Sequence, residues 1–209
     1  MAQDELEIRY PKNGDHLIEE GGDVRTLFGD WIKGKWFSYV DGYKAAADLL
    51  VDKIEGRAPE DILVLPIVFM YRHHVELKLK YIITAIDVLS QTQIPNLITH
   101  NLIALWNYVK VHLGCIRGGP FDAEMIASLD HLITELSNLD PNSFRFRYSH
   151  DRDFNENDIP TSINLRHFKE TMQILSNGLS FIESGIDYER DCRALDADIE
   201  AQMGPFMDF

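Results

Sequence analysis

The chain has 209 residues, 45% of them hydrophobic, and a formal net charge of −14. That length and apolar content fit one domain, or one domain with appendages, with enough side chains to fill a core. The charge argues against a broad electrostatic grip on nucleic acid, which needs Lys and Arg facing phosphates, and leaves room for a local basic pocket.

Residues 1–34 read as an irregular N-terminal arm. The start, MAQDELEIRY, shows no basic stretch followed by an apolar core, so it is not expected to be a signal peptide. Leu6, Ile8 and Tyr10 alternate with charged residues and permit a short strand. Asn13-Gly14 and Gly21-Gly22 signal turns. Trp31 and Trp36 read as anchors that pin the arm to the domain rather than as ligand stackers; the arm could also be a dimer contact.

Val40, Tyr43, Ala47, Leu50, Val51 and Ile54 hold helical spacing and predict a first core helix over Phe37 to Glu55, ended by Gly56. After the loop Arg57-Ala58-Pro59, the stretch Ile62 to Leu89 is the one on which the chain is organised. Val68, Tyr71, Val75, Leu79, Ile82, Ile86 and Leu89 make its apolar stripe, and Pro66 sits near its first turn. The apolar run before Arg72 is about half of a membrane span. Arg72, Glu76 and Lys80 stack at four-residue steps on one face, as a salt-bridge ladder on a half-exposed helix or as a polar patch facing a groove.

Pro95-Asn96 punctuates the next loop. Thr99 reads as the cap of a helix carrying Leu102, Leu105, Trp106, Val109 and Leu113, closed by Gly118, Gly119 and Pro120. Asp122 opens another helix with Met125, Ile126, Leu129, Leu132, Ile133 and Leu136 on one face. Breakers around Asp140-Pro141-Asn142 then start a long connection, Leu139 to Thr161, of the kind that is often functional. Its Asp153–Asp158 part reads as polar and mobile. Ser162 is expected to cap a last long helix with Ile163, Leu165, Phe168, Met172, Leu175, Leu179 and Ile182, stopped by Gly185. Residues 187–209 read as an acidic tail with a short helix from Tyr188 to Gln202 and an ending, Gly204 to Phe209, that leaves helix. The expected fold is all-α: a bundle of about five helices over 35–186, with the arm and the tail as appendages.

No metal site is expected. The eight histidines form no HExxH pairing, and Cys115 and Cys192 fit neither a metal spacing nor a disulfide framework. That cysteine usage suggests a reducing cytoplasmic compartment. No phosphate-cradling Gly loop and no G-x-S-x-G are present, and no cofactor is implied. The stretch FRFRYSHD stands out. Arg145 and Arg147 could hold a scissile phosphate while His150 acts as general acid or base, which suffices for metal-free RNA cleavage. The alternative is a loop whose aromatics plug the bundle while its arginines pair with acids.

LPIVFMYRHHVELKLKYII, THNLIALW, SFRFRYSHD and a helix starting INLRHF together resemble the HEPN domain, over about residues 37–186. The first block matches at Tyr71, Arg72, His73, Glu76, Leu77 and Lys80. The second matches at His100, Leu102, Leu105 and Trp106, with Asn101 where the pattern has Asp. The third matches at Phe146, Arg147 and Tyr148, with Ser149 in place of proline. The resemblance implies a helical bundle, often a homodimer, that in ribonuclease members uses an R-x4-6-H motif; Arg145 to His150 fits that spacing. It further implies a toxin or antiviral-defence effector that acts on RNA or joins a protein partner, with Arg72, His73, Glu76 and Lys80 as a supporting polar row. The other reading is a non-catalytic dimeric subunit of a defence or regulatory complex.

Overall fold

The computed structural model describes residues 11, 35–55, 60–91, 99–116 and 121–203. The chain divides into two units, Met1–Gly34 and Lys35–Phe209. The expected strand at Leu6–Tyr10, the turns Asn13-Gly14 and Gly21-Gly22, and the Trp31 anchor lie outside the described residues. So do Gly56–Pro59, Pro95-Asn96, Gly118–Pro120 and Gly204–Phe209.

Among the described residues there are five α-helices and no strand, so the second unit is an all-α bundle. These are α1 (Trp36–Lys53), α2 (Val64–Ser90), α3 (Leu102–His112), α4 (Ala123–Leu139) and α5 (Leu165–Met203), with short 3-10 turns before α2 and after α3. No described helix is long and apolar enough to cross a membrane.

The spacing of apolar residues in α2 explains its place at the centre. Ile67, Val68, Tyr71, Val75, Leu79, Ile82, Ile83 and Ile86 are all fully buried, on a stripe too wide for one neighbour to cover. Helices α1, α3 and α5 pack on it, and α4 closes the layer by packing on α3 and α5. Trp106 of α3 is buried whole, and its indole N–H donates to Asp130 of α4 at 3.0 Å, so the largest side chain in the core also has its polar atom satisfied. Trp36 at the start of α1 is half-buried, with its ring 6.1 Å from that of Tyr81.

Two of the expected helix starts shift. Thr99 does not cap α3: Asn101 does, its side-chain oxygen accepting from Ala104 N at 3.0 Å, while Thr99 Oγ1 accepts from Asn101 N. Ser162 is likewise replaced by Asn164, whose oxygen accepts from the N–H of His167 at 3.2 Å. In both cases an Asn lies between the expected cap and the first apolar residue of the helix, and its oxygen reaches the amide three residues on. Asp122 caps α4 as expected, accepting from Glu124 N.

The third correction is larger. Gly185 is not a stop, for α5 passes through it and runs 39 residues to Met203. Gly185 is there because of a close approach: a Cβ would meet the Phe121 ring at 3.1 Å. The helix segment expected from Tyr188 to Gln202 is therefore the distal part of α5. Arg193 ties that part back, donating to the carbonyls of Leu89 at 2.6 Å and Cys115 at 3.1 Å.

Candidate functional site

The Arg72–Glu76–Lys80 row is real, and it is buried. Arg72 and Glu76 are 0% and 1% exposed. Arg72 Nη1 donates to Glu76 Oε2 at 2.9 Å, and Lys80 Nζ donates to Glu76 Oε1 at 2.8 Å. Burial alone would push the Glu76 carboxyl up. Lys80, then His100 and Arg72, outweigh it with hydrogen bonds and charge, and hold the carboxyl below the usual carboxylate range.

The row has a purpose beyond pairing with itself. Arg72 Nη2 donates to the backbone carbonyl of His100 at 2.6 Å, and its Nε donates to the carbonyl of Asp140 at 2.7 Å. One guanidinium thus fastens the chain just before α3 and just after α4 to the central helix. The imidazole of His100 is held by the same row: its Nδ1 lies 2.8 Å from Glu76 Oε1. A carboxylate only accepts, so Nδ1 carries the proton and Nε2 is the remaining ring nitrogen.

Asp140 in turn shapes the connection. Its Oδ1 accepts from Phe144 N at 2.7 Å and Arg145 N at 3.1 Å, which winds FRFRY into a helical turn. Phe146 is buried at 5% exposure. Phe144 stacks on Tyr148 at 4.3 Å. Arg145 Nη1 donates to the last carbonyls of α4, Asn138 at 3.1 Å and Leu139 at 3.3 Å. Arg147 donates to the Ser143 carbonyl and sits over the rings of Phe69 and Tyr148, 5.5 and 5.4 Å from their centroids. Among the described residues, the partners of both arginines are carbonyls and aromatic rings.

The segment around Asp151 to Asn157 is a hydrogen-bonded turn. Asp151 Oδ1 accepts from the amides of Asp153 and Asn155, and Asn155 and Asn157 return backbone bonds to Asp151 and Ser149. His150 forms an isolated antiparallel bridge with Glu156, and its Nδ1 is 2.9 Å from Ser149 Oγ.

Between these pieces lies a cleft of about 890 Å³. His100 forms part of its wall beside α3. Arg145, Arg147 and Arg152 line it from the connection, with Asp140, Asp151 and Asp153 among the carboxylates. Two of the three residues expected to act on a phosphate, Arg145 and Arg147, are thus in the cleft; His150 is exposed on the adjoining turn and is not among the lining residues. His73 is not in the row. It follows Arg72 by one residue, so it is turned about 100° away, and its ring stacks on Phe69 at 5.5 Å with Tyr43 edge-on at 4.5 Å. Among the described residues no three His, Cys, Asp or Glu side chains converge in a metal-binding arrangement.

The residues that sequence spacing missed are His100 and Asp140. They lie 28 and 68 positions from Arg72, so no periodicity links them to it. The only signal was His100 standing in the THNLIALW block, with no role attached.

The fold and site define an all-α bundle in which a buried arginine–carboxylate row supports a cleft lined by three arginines and five carboxylates. Comparison with known proteins gives no match, whether to a family model, a curated protein or a solved structure.

Proposed function

We propose that this chain is a HEPN-like, metal-free endoribonuclease that works in the cytoplasm as a homodimer, as a toxin or defence effector. The observation that supports it is the gathering of Arg145 and Arg147 in one cleft with His100, an imidazole oriented by the buried carboxylate of Glu76. In such a reaction the 2′-hydroxyl of the ribose attacks the adjacent phosphorus, and its proton passes to a general base. The 5′-oxygen leaves with a proton from a general acid, and a 2′,3′-cyclic phosphate remains. His100 has the geometry of the acid–base group: Nδ1–H is fixed on Glu76, so Nε2 is the nitrogen that takes or gives a proton. The arginines would carry the charge that builds on the phosphoryl oxygens.

One observation favours a second reading, a non-catalytic binding module. The guanidinium groups of Arg145 and Arg147 already hold carbonyls of α4 and of Ser143. The test is cleavage of a mixed RNA pool by the purified chain in EDTA. His100→Ala is expected to lower the rate by about 10²–10⁴-fold, the usual share of a general acid–base group. Arg145→Ala/Arg147→Ala should abolish cleavage, and His150→Ala should retain it. A folded wild type that leaves every RNA intact sinks the nuclease reading in favour of the binding module. Cleavage lost in His150→Ala and kept in His100→Ala moves the acid–base role to the adjoining turn.

A further inference from the structure

The most exposed large apolar side chain among the described residues is Phe154, at 88%. It stands at the tip of the turn after His150, and its backbone is left-handed, with φ 62°. That region is uncommon for any non-glycine residue and an outlier for a bulky one, so the surrounding turn has to impose it. Asp151 N donates to the Asn155 carbonyl at 2.8 Å, Phe154 N donates to the Asp151 carbonyl at 3.2 Å, and Asn157 Nδ2 donates to the Tyr148 carbonyl at 2.7 Å. With the amide bonds to Asp151 Oδ1, these hold a strained backbone whose product is a ring in water. An Asn here would relieve the strain and a buried ring would gain by leaving water. A residue that does neither is accounted for by what it contacts outside the fold.

The neighbours of the ring select that contact. Arg152 and Asp153 before it, and Glu156 and Asn157 after it, line the cleft, which puts Phe154 on the rim. Arg145 and Arg147 have N–H groups committed to carbonyls. Arg152 has no hydrogen-bond or ion-pair partner among the described residues. The rings divide the same way. Tyr148 stacks on Phe144 and lies under Arg147, while Phe154 has no ring partner among the described residues. One turn therefore carries an unengaged guanidinium and an unengaged ring two residues apart, no more than about 7 Å between Cα atoms. A nucleotide presents a phosphate and a base on that scale. The carboxylates of the wall point the same way. They outnumber the arginines, five to three, so phosphate contacts alone hold a strand weakly, and stacking supplies affinity that needs no charge. A protein partner fits less well: interfaces seat aromatic anchors in an apolar core, and the ring is surrounded in sequence by Arg152, Asp153, Asn155 and Glu156.

We propose that Phe154 is a base-stacking residue: a nucleobase of the bound RNA lies on its ring while Arg152 holds the adjacent phosphate. The inference rests on the RNA reading given above and adds to it a subsite apart from the acid–base group. Every base has a flat face, so the contact selects no sequence, but it demands a base that is not paired.

Anisotropy of a short single-stranded RNA tests it, using the full chain with His100→Ala as the parent so that the strand stays intact. Phe154→Asn removes the ring and keeps the turn, because Asn accepts the left-handed region. It should weaken binding by about 5- to 150-fold, the share of one stacked base. The salt dependence should not change, and the melting temperature should equal or exceed the parent's. Phe154→Trp should restore the affinity. The same strand built from abasic ribose should bind the parent and Phe154→Asn alike. Equal affinity of the two chains for the intact strand overturns the inference and leaves the ring to a protein partner. Equal weakening on the intact and abasic strands overturns it too, since the ring would then shape the cleft instead of holding a base. So does a lower melting temperature, which would make the ring structural. A parent that binds neither strand also overturns it; cleavage of RNA by the wild type in EDTA, measured separately, decides whether the nuclease reading falls with it.

Discussion

His74 shows what a satisfied core histidine looks like and what it costs in acid. It is 1% exposed. Its Nδ1 is 2.8 Å from the Val40 carbonyl and its Nε2 is 3.0 Å from Ser176 Oγ. The neutral ring with the proton on Nδ1 satisfies both: it donates to the carbonyl and accepts from the hydroxyl. Burial, the largest influence, pushes its pKa below the ordinary value, against the pull of the Val40 carbonyl. His73 is shifted the same way, again chiefly by burial. The unfolded chain then binds more protons than the folded one between the folded pKa and about 6.5, so stability rises with pH across that window and is lost as pH falls through it. Urea midpoints are expected to drop between pH 7.5 and 5.5, and His74→Gln should drop less over the same interval although it is less stable at pH 7.5. A midpoint flat across that interval in the wild type would refute this assignment. Glu76 acts lower down: its depressed carboxyl contributes stability above the ordinary carboxylate pKa that is lost as pH falls through its folded value. The Arg72–Glu76 pairing itself could be read from four-residue spacing. Its grip on His100 and Asp140 could not, because those partners arrive by tertiary packing from other helices.

Glycines in the helices divide by what surrounds them. In α1, a Cβ at Gly42 would meet nothing within 4 Å. Gly42→Ala should therefore stabilise by about 1 kcal/mol, the helix-propensity difference, which for this chain length raises Tm by roughly 2–4 °C. In α5, a Cβ at Gly178 would sit 2.7 Å from Leu129 Cδ2, and Leu129 is itself buried. Gly178→Ala gains the same propensity and loses more to overpacking, for a net loss of about 1 kcal/mol. Thermal melts of the two variants should move in opposite directions; movement in the same direction would contradict the packing of α4 on α5. The same distinction explains why the full length of α5 is not legible in the sequence. Periodicity placed its core face correctly from Leu165 to Ile182. Gly185 looked like a helix end because its reason for being glycine, the Phe121 ring, lies 64 positions away.

On the proposed function, a chain with a net charge of −14 meets RNA through a small window. Arg145, Arg147 and Arg152 are the arginines that line the cleft, and carboxylates share its wall. Repulsion from the rest of the surface is long-ranged at low salt and shrinks to about 8 Å at physiological ionic strength. Within the cleft, three guanidinium groups can each displace the counterion of one phosphate. For a single strand the slope of log K against log salt is about −0.7 per phosphate neutralised, which gives about −2 here. Binding of a short single-stranded RNA, followed by anisotropy with His100→Ala to prevent cleavage, should show that slope. Arg152→Ala, on the wall with no catalytic role assigned, should bring it to about −1.4. A slope steeper than about −4 would mean that the strand follows a basic surface elsewhere on the molecule. A slope near zero with measurable affinity would mean that bases, and not phosphates, are what the cleft holds.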